Sequence, residues 1–352
     1  MGRRLRVALV MPARNEEEAV GPSLDAVFAS TRLPDEIIVA DGQSTDGTVA
    51  RLRAYQNRGI DLRIVANPSR FSGGGRNIAI RHSTADVIVF VDFGNPMRPD
   101  YIEAMVRPFE ESEDVDLVMG ILLPLIETEF EHCLAAVQYY DNLKIPEYTR
   151  EQKEALVPRV LLPGGGCIAV TREVYERLGG YPEWLHRSQD RLFSRKAYGM
   201  HVRVAVAWDA YTYNHLRKNV REVYDSSYTW GRGCGQSRYL RKRAIRMAVF
   251  YGTIAGLFAA AWWWWPAGLA AVLLLAAYFH RAGWKRLLQL DGGRTSLRRL
   301  GTVVSIVVAR DLGDVVGHLV GWVEWFRVAR YRKLFYEYTR GCDQKLLHVI
   351  ER

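Results

Sequence analysis

Cysteine is scarce: the 352 residues hold four, Cys133, Cys167, Cys234 and Cys342, with no Cys-x-x-Cys pair and no ligand-like spacing. That pattern excludes a disulfide framework and reads as reduced, individually buried thiols. The opening stretch to Glu18 has a basic start but neither the apolar h-region nor the cleavage site of a secretory signal. Gly2 lacks the Ser or Thr at the sixth position that myristoylation uses. No Gly-x-Gly-x-x-Gly follows the first apolar run, where Pro12-Ala13-Arg14-Asn15-Glu16-Glu17 stands instead, so a dinucleotide-dependent oxidoreductase is disfavoured. Internal repeats and low-complexity tracts are missing too, apart from four consecutive tryptophans, Trp262 to Trp265. From Ala248 to Phe279 there is no charged side chain.

What is present is unevenly distributed. The first 240 residues read as an ordinary soluble mixture, and the formal charge is +9. Arg238, Arg241, Lys242, Arg243 and Arg246 precede the uncharged run, and Arg281, Lys285 and Arg286 follow it. This placement favours an anionic membrane surface, with nucleotide phosphates as a second partner, over nucleic acid. As one helix the run would extend about 48 Å, too long for a hydrocarbon core of about 30 Å. A hairpin of two spans turning near Trp262–Gly268 is expected, with indoles at the far interface and the basic clusters on the cytoplasmic side. A second apolar stretch, residues 300–326, carries Arg310, Asp311, Asp314 and His318 on one stripe and reads as an interfacial or re-entrant helix. The expected organisation is an α/β domain at 1–225, a basic interfacial linker at 226–247, the hairpin at 248–280, and a basic segment with its helix and tail at 281–352. An inner-membrane, multi-pass protein with a cytoplasmic catalytic domain is the corresponding expectation.

Within the first 125 residues, apolar strands alternate with helical patterns. Strands are expected at Leu5–Met11, Glu36–Ala40, Leu62–Val65, Val87–Val91 and Leu117–Leu122. Asn15 and Glu18 have capping-box spacing before the first helix. Unbroken apolar strands in β-α-β order predict a mostly parallel, Rossmann-like sheet buried on both faces. Ligands bind such sheets beyond the carboxyl ends of the strands. The polar clusters Pro12–Glu16, Asp41–Asp46 and Asp92–Asn95 directly follow strand ends, so they should converge on one rim.

Val10 to Glu16, Ile38 to Thr48, Gly74-Gly75-Arg76-Asn77 and Val89-Phe90-Val91-Asp92, in that order, resemble the motifs of family 2 glycosyltransferases. Gly164-Gly165-Gly166-Cys167, Gly179-Gly180-Tyr181-Pro182-Glu183 and Ser188-Gln189-Asp190 continue the series, and the resemblance covers about residues 5–235. The C-terminal helices and Tyr228 to Gly233 resemble the bacterial exopolysaccharide (succinoglycan-type) branch. The resemblance implies a GT-A fold and inverting transfer from a nucleoside-diphosphate-sugar. A membrane-associated, polyprenyl-linked acceptor is expected on physical grounds, since anchoring would confine enzyme and amphiphilic acceptor to one surface.

It further implies that Pro12, Ala13, Arg14, Glu16, Asp41, Gly74, Arg76, Asp92, Phe93 and Gly94 serve the donor. Asp190 is then the general base. Gly165, Gly166, Gln189, Trp230 and Arg232 lie on the acceptor or donor side. One departure concerns the metal. The family usually has Asp-x-Asp, whereas this chain reads Asp92-Phe93-Gly94-Asn95. Asp92 with Asn95 or His215 is the expected set for Mg2+ or Mn2+; the alternative is charge supplied by Arg76 and Arg232. Glycines 73–75 read as a loop that lets backbone approach a ligand. Two other readings stay open: a polyprenyl-monophosphate sugar synthase, and a non-catalytic nucleotide-sugar-binding subunit of a polysaccharide complex.

Overall fold

The computed structural model describes residues 4–160, 165–239 and 241–343; Gly2 and Gly164 lie outside the described residues. In chain order the elements begin β1 (Val7–Ala13), α1 (Glu17–Phe28), β2 (Glu36–Asp41), α2 (Thr48–Arg53), β3 (Asp61–Ala66), α3 (Ser72–Arg81), β4 (Val87–Phe90), α4 (Tyr101–Glu111) and β5 (Leu117–Leu125). They continue through α5 (Glu129–Gln138), α6 (Tyr140–Lys144), α7 (Arg150–Val160), β6 (Ile168–Thr171), α8 (Arg172–Arg177), α9 (Gln189–Gly199) and β7 (Val204–His215). Helices α10 (Val220–Gln236), α11 (Arg241–Ala260), α12 (Trp265–Phe279), α13 (Lys285–Leu290), α14 (Leu297–Arg327) and α15 (Ala329–Tyr338) complete the chain. Two compact units result. One holds the chain up to Leu123, Ile145–His215 and the segment from Leu334; the other holds Pro124–Lys144 and Leu216–Lys333.

The first unit is built on a seven-stranded sheet in the order β3-β2-β1-β4-β6-β5-β7. β1 pairs in parallel with β2 and β4, and β2 with β3, while β6 runs antiparallel to β4 and β5. Alternation along the apolar strands sends Val7, Leu9 and Met11 into one core and Ala8 and Val10 into the other. Helices therefore cover both faces. Register brings Ala13 beside Asp41 and Val10 beside Phe90, so the β1, β2 and β4 carboxyl ends form one rim.

Two local expectations change. Asn15 is not an N-cap: it sits at φ 56, a left-handed value that asparagine tolerates, and Glu16 takes the cap position. Its side-chain oxygen instead accepts from Thr45 N–H (2.9 Å), and its own N–H donates to Ser44 Oγ (2.9 Å). The first two strand-end loops are thereby tied together. Glycines 73–75 are not a loop but lie in the first turn of α3, all buried. A Cβ on Gly74 would lie 2.2 Å from Ser69 Oγ, and one on Gly75 2.9 Å from Asn67 Nδ2, so these glycines serve close packing.

The second unit is helical. Helix α10 lies wholly within it, and the expected boundary at residue 225 falls inside that helix. The cause is a glycine seam. A Cβ on Gly317 or Gly321 of α14 would come within 2.2 Å of the Tyr228 or Arg232 carbonyl oxygen of α10, so the two backbones touch. Two helices, Lys242–Ala260 and Trp265–Leu290, are long and apolar enough to cross a membrane. The second continues through a π-turn at His280–Trp284 into α13. The turn between them holds Trp262–Trp264, and α12 opens at Trp265 with Pro266 in its first turn.

Helix α14 runs unbroken for 31 residues. Its polar stripe also faces inward. Asp311, Asp314 and His318 are buried, whereas Leu312, Leu319, Val323 and Phe326 are exposed. Asp311 Oδ2 accepts from the hydroxyls of Tyr251 on α11 (2.9 Å) and Tyr278 on α12, while Arg310 Nε donates to Oδ1 (2.9 Å). Polar residues are thus sealed inside this unit and several large apolar side chains of α14 turned outward.

Candidate active site

Asp92 stands just past the end of β4, beside β1. Arg76, one turn into α3, pairs with Asp92 Oδ1; the arginine side chain is 3% exposed and the aspartate 39%. The guanidinium carbon lies 5.4 Å from the Tyr181 ring centre and 5.9 Å from that of Phe90. A buried cation needs this partner. Its carboxylate neighbours, Asp92 first and Asp190 after Tyr181, hold the arginine above its ordinary range against the opposing effect of burial.

Asp190 opens α9, where its Oδ1 accepts from Arg191 N–H (2.8 Å) and its Oδ2 from Gly165 N–H (3.3 Å). The turn at Gly165-Gly166 fits between the two carboxylates. A Cβ on Gly165 would lie 2.8 Å from Arg76 Nη1, and one on Gly166 2.3 Å from Asp92 Oδ2. Asp92, Arg76, Gly165, Gly166 and Asp190 therefore form one connected group. Gln189 fastens α9 to α3 through Nε2 donating to Ser72 Oγ (2.8 Å).

On the same rim, Asp41 ends β2 and accepts from Ser44 N–H (3.2 and 3.3 Å). Gly42 N–H donates to Ala13 O (2.7 Å), which draws the Pro12–Glu16 and Asp41–Asp46 loops together. Arg14 is exposed at this edge, and Pro12 half-exposed. Glu16 is raised to about 7, by burial first and then by the charges of Asp92 and Asp46.

Four expected residues are engaged by their own surroundings. Phe93 is buried in the core rather than turned to a ligand. Gly74 is packed against Ser69, as described above. Arg232 and Trp230 belong to α10 in the helical unit; Arg232 Nε donates to Glu324 (3.0 Å), with Gln236 Nε2 on the same carboxylate (2.6 Å), and Trp230 packs edge-on to Tyr239. Glu324 thus balances the charge of this guanidinium. Gly94 has φ +76, a conformation glycine holds without strain, and its N–H donates to Ser23 Oγ (3.1 Å). Reading the sequence missed Tyr181, whose ring packs on Arg76; its place in the Gly179-Gly180-Tyr181 motif was the available signal.

Among the described residues, no group of three or more His, Cys, Asp or Glu side chains is gathered for a metal. Asp92 is nonetheless a half-exposed oxygen donor of the kind Mg2+ and Mn2+ take. Tyr213 N–H donates to Pro96 O (2.7 Å) and Met97 bridges Thr212, so the loop carrying Asn95 runs beside the end of β7 where His215 lies.

Comparison with known proteins agrees with this geometry. The family model for glycosyl transferase family 2 matches residues 8–179. The O-antigen chain rhamnosyltransferase RfbN of Salmonella typhimurium is 25% identical over 229 residues, 64% of this chain and 72% of that protein. The dodecaprenyl-phosphate galacturonate synthase of Rhizobium johnstonii is 34% identical over 121 residues, 33% of this chain and 36% of that protein. The fold is shared with mannosyltransferase PcManGT of Pyrobaculum calidifontis, solved with GDP-Man and Mn2+, at a TM-score of 0.55 and 20% identity over 89% of this chain and 88% of that one. With the motif match spanning the strands and helices that build the rim, residues 8–179 form a glycosyl transferase family 2 domain with the GT-A fold, and the protein is a glycosyltransferase.

Proposed function

We propose that the protein transfers a sugar, with inversion, from a nucleoside-diphosphate-sugar to a membrane-associated, polyprenyl-linked acceptor in polysaccharide or glycolipid synthesis. The observation that carries this reading is the continuous group Asp92–Arg76–Gly165–Asp190. The donor lies along the β1 and β2 ends, with Asp41 accepting from ribose or base. Asp190 takes the proton of the acceptor hydroxyl as its oxygen attacks the anomeric carbon, and the nucleoside diphosphate departs from the opposite side. Arg76 balances Asp92, so the diphosphate meets a centre whose carboxylate charge is already offset. A divalent cation, Mg2+ or Mn2+, would be held by Asp92 with the Asn95 and His215 segments alongside, and would supply positive charge to the leaving group.

The membrane reading rests on the outward-turned apolar side chains of α14 and the apolar α11–α12 hairpin. Confining the enzyme and an amphiphilic acceptor to one surface raises their effective concentration. In this reading both helices cross the inner membrane and the catalytic unit faces the cytoplasm. A polyprenyl-monophosphate sugar synthase is the second reading, favoured by the similarity to the galacturonate synthase. A non-catalytic subunit is disfavoured by the placement of Asp190.

The test is donor turnover, by slow hydrolysis and by transfer to polyprenyl-phosphate and polyprenyl-diphosphate-sugar acceptors. A thermal-shift screen of UDP-, GDP- and dTDP-sugars with and without Mn2+ first selects the donor. Asp190→Asn is expected to abolish turnover while keeping donor binding, and Asp209→Asn, at an exposed pair with Arg107, to leave it intact. Undiminished turnover in Asp190→Asn would overturn the assignment.

A further inference from the structure

We propose that Tyr338, near the far end of the chain, is a positioning residue for the catalytic centre. This rests on the assignment of Asp92, Arg76 and Asp190 above. Gly179 and Gly180 are consecutive left-handed residues, at φ +73 and +69, which turn the chain sharply at no steric cost to glycine. A Cβ on Gly180 would lie 2.7 Å from Asn77 Oδ1. The turn is stitched to α3 by Asn77: its Oδ1 accepts from Tyr181 N–H (2.8 Å), and its Nδ2 donates to Tyr181 O (2.9 Å). Asn77 follows Arg76, and the Tyr181 ring packs on the Arg76 guanidinium. The conformation of this turn therefore sets where the Arg76–Asp92 pair stands.

The Gly180 carbonyl is held from outside the turn. Tyr338 donates its hydroxyl to Gly180 O (2.7 Å) across 158 residues of sequence. The Tyr338 ring simultaneously lies under Lys196 Nζ, 4.2 Å from the ring centre, a cation–π contact on α9. Helix α9 is the element that begins with Gln189 and Asp190. One side chain thus touches both the turn behind Arg76 and the helix that presents Asp190. Phe335 and Thr339, on either side of it, are buried, and Asp343 N–H donates to Gly199 O at the end of α9 (2.9 Å). This anchorage makes the contact a fixed brace. Small misplacements of reacting groups are costly in rate, so the brace acts on turnover without touching a ligand.

The experiment uses the full-length chain with the donor chosen by the screen. Tyr338→Phe keeps the ring over Lys196 and removes only the hydroxyl. It is expected to lower kcat about tenfold with the donor KM unchanged and the melting temperature held. Tyr336→Phe, on the exposed face of the same helix, is expected to match the wild type. Should Tyr338→Phe fail to accumulate folded, Lys196→Met tests the other half of the brace with the same expected kcat loss. A kcat within twofold of wild type in the folded variant, or a fall in kcat equalled by a rise in donor KM, would overturn the proposal. Asp190→Asn in the same assay separates the two ideas. An inactive Asp190→Asn beside a fully active Tyr338→Phe refutes the brace alone, and an active Asp190→Asn refutes the site reading on which it rests.

Discussion

Gly165 donates its main-chain N–H to the Asp190 carboxylate at 3.3 Å, while the space where its side chain would stand is filled by Arg76. The link between the two halves of the active centre is therefore a backbone with no room beside it. Gly166, one residue on, leaves the same lack of room beside Asp92. Gly166→Ala is expected to displace the Asp92 carboxylate, cutting kcat by about 100-fold at a stability cost of about 1–3 kcal/mol. Steady-state kinetics beside urea denaturation check both parts; an alanine variant with native turnover would show that Asp92 has freedom to move aside.

Neutralising Asp92 strands a buried cation. Asp92→Asn is expected to destabilise the fold by about 2 kcal/mol, less than the roughly 3–5 kcal/mol of a fully buried pair because the aspartate is 39% exposed. The double variant Arg76→Gln/Asp92→Asn should be less destabilised than the sum of its parts. Denaturation of the three variants supplies the cycle, and strict additivity would mean that the two side chains do not interact.

Glu16 gives the fold a pH dependence near neutrality. Its native carboxyl titrates at about 7 rather than 4.5, so the native state holds that proton more tightly than the unfolded chain does. The resulting stabilisation is complete below about pH 4.5 and is lost as pH rises through about 7. Glu16→Gln carries no such titration. The melting temperature of the variant relative to the wild type should therefore climb between pH 5 and pH 8. A difference that stays flat over that interval would show that Glu16 has an ordinary acidity.

In the helical unit, Gly317→Ala drives a methyl group against the Tyr228 carbonyl. We expect a loss of about 1–3 kcal/mol, read as a lowered unfolding temperature in detergent, with Gly301→Ala, which meets nothing, neutral. Equal temperatures for both variants would rule out a tight α10–α14 seam.

The parallel half of the sheet was legible because β1, β2 and β4 are largely apolar runs ended by polar clusters, a local pattern. Asp190 was singled out through motif order rather than chemistry. Strands β6 and β7 were not legible, since Ile168–Thr171 is short and Val204–His215 mixes polar and apolar residues along its length. Long-range partners escaped for a related reason: nothing near Arg232 announces Glu324, and nothing near Gly180 announces Tyr338. The polar stripe of α14 was legible as a stripe, but the side it faces was not. Periodicity says that two faces differ, but not which of them meets the protein.

The corner between α11 and α12 holds four of the chain's ten tryptophans, all between 65% and 87% exposed. Much of the protein's ultraviolet emission therefore originates from a single turn. Its colour reports the polarity of whatever surrounds that turn, giving the molecule an unlabelled optical gauge of contact between that corner and an apolar phase.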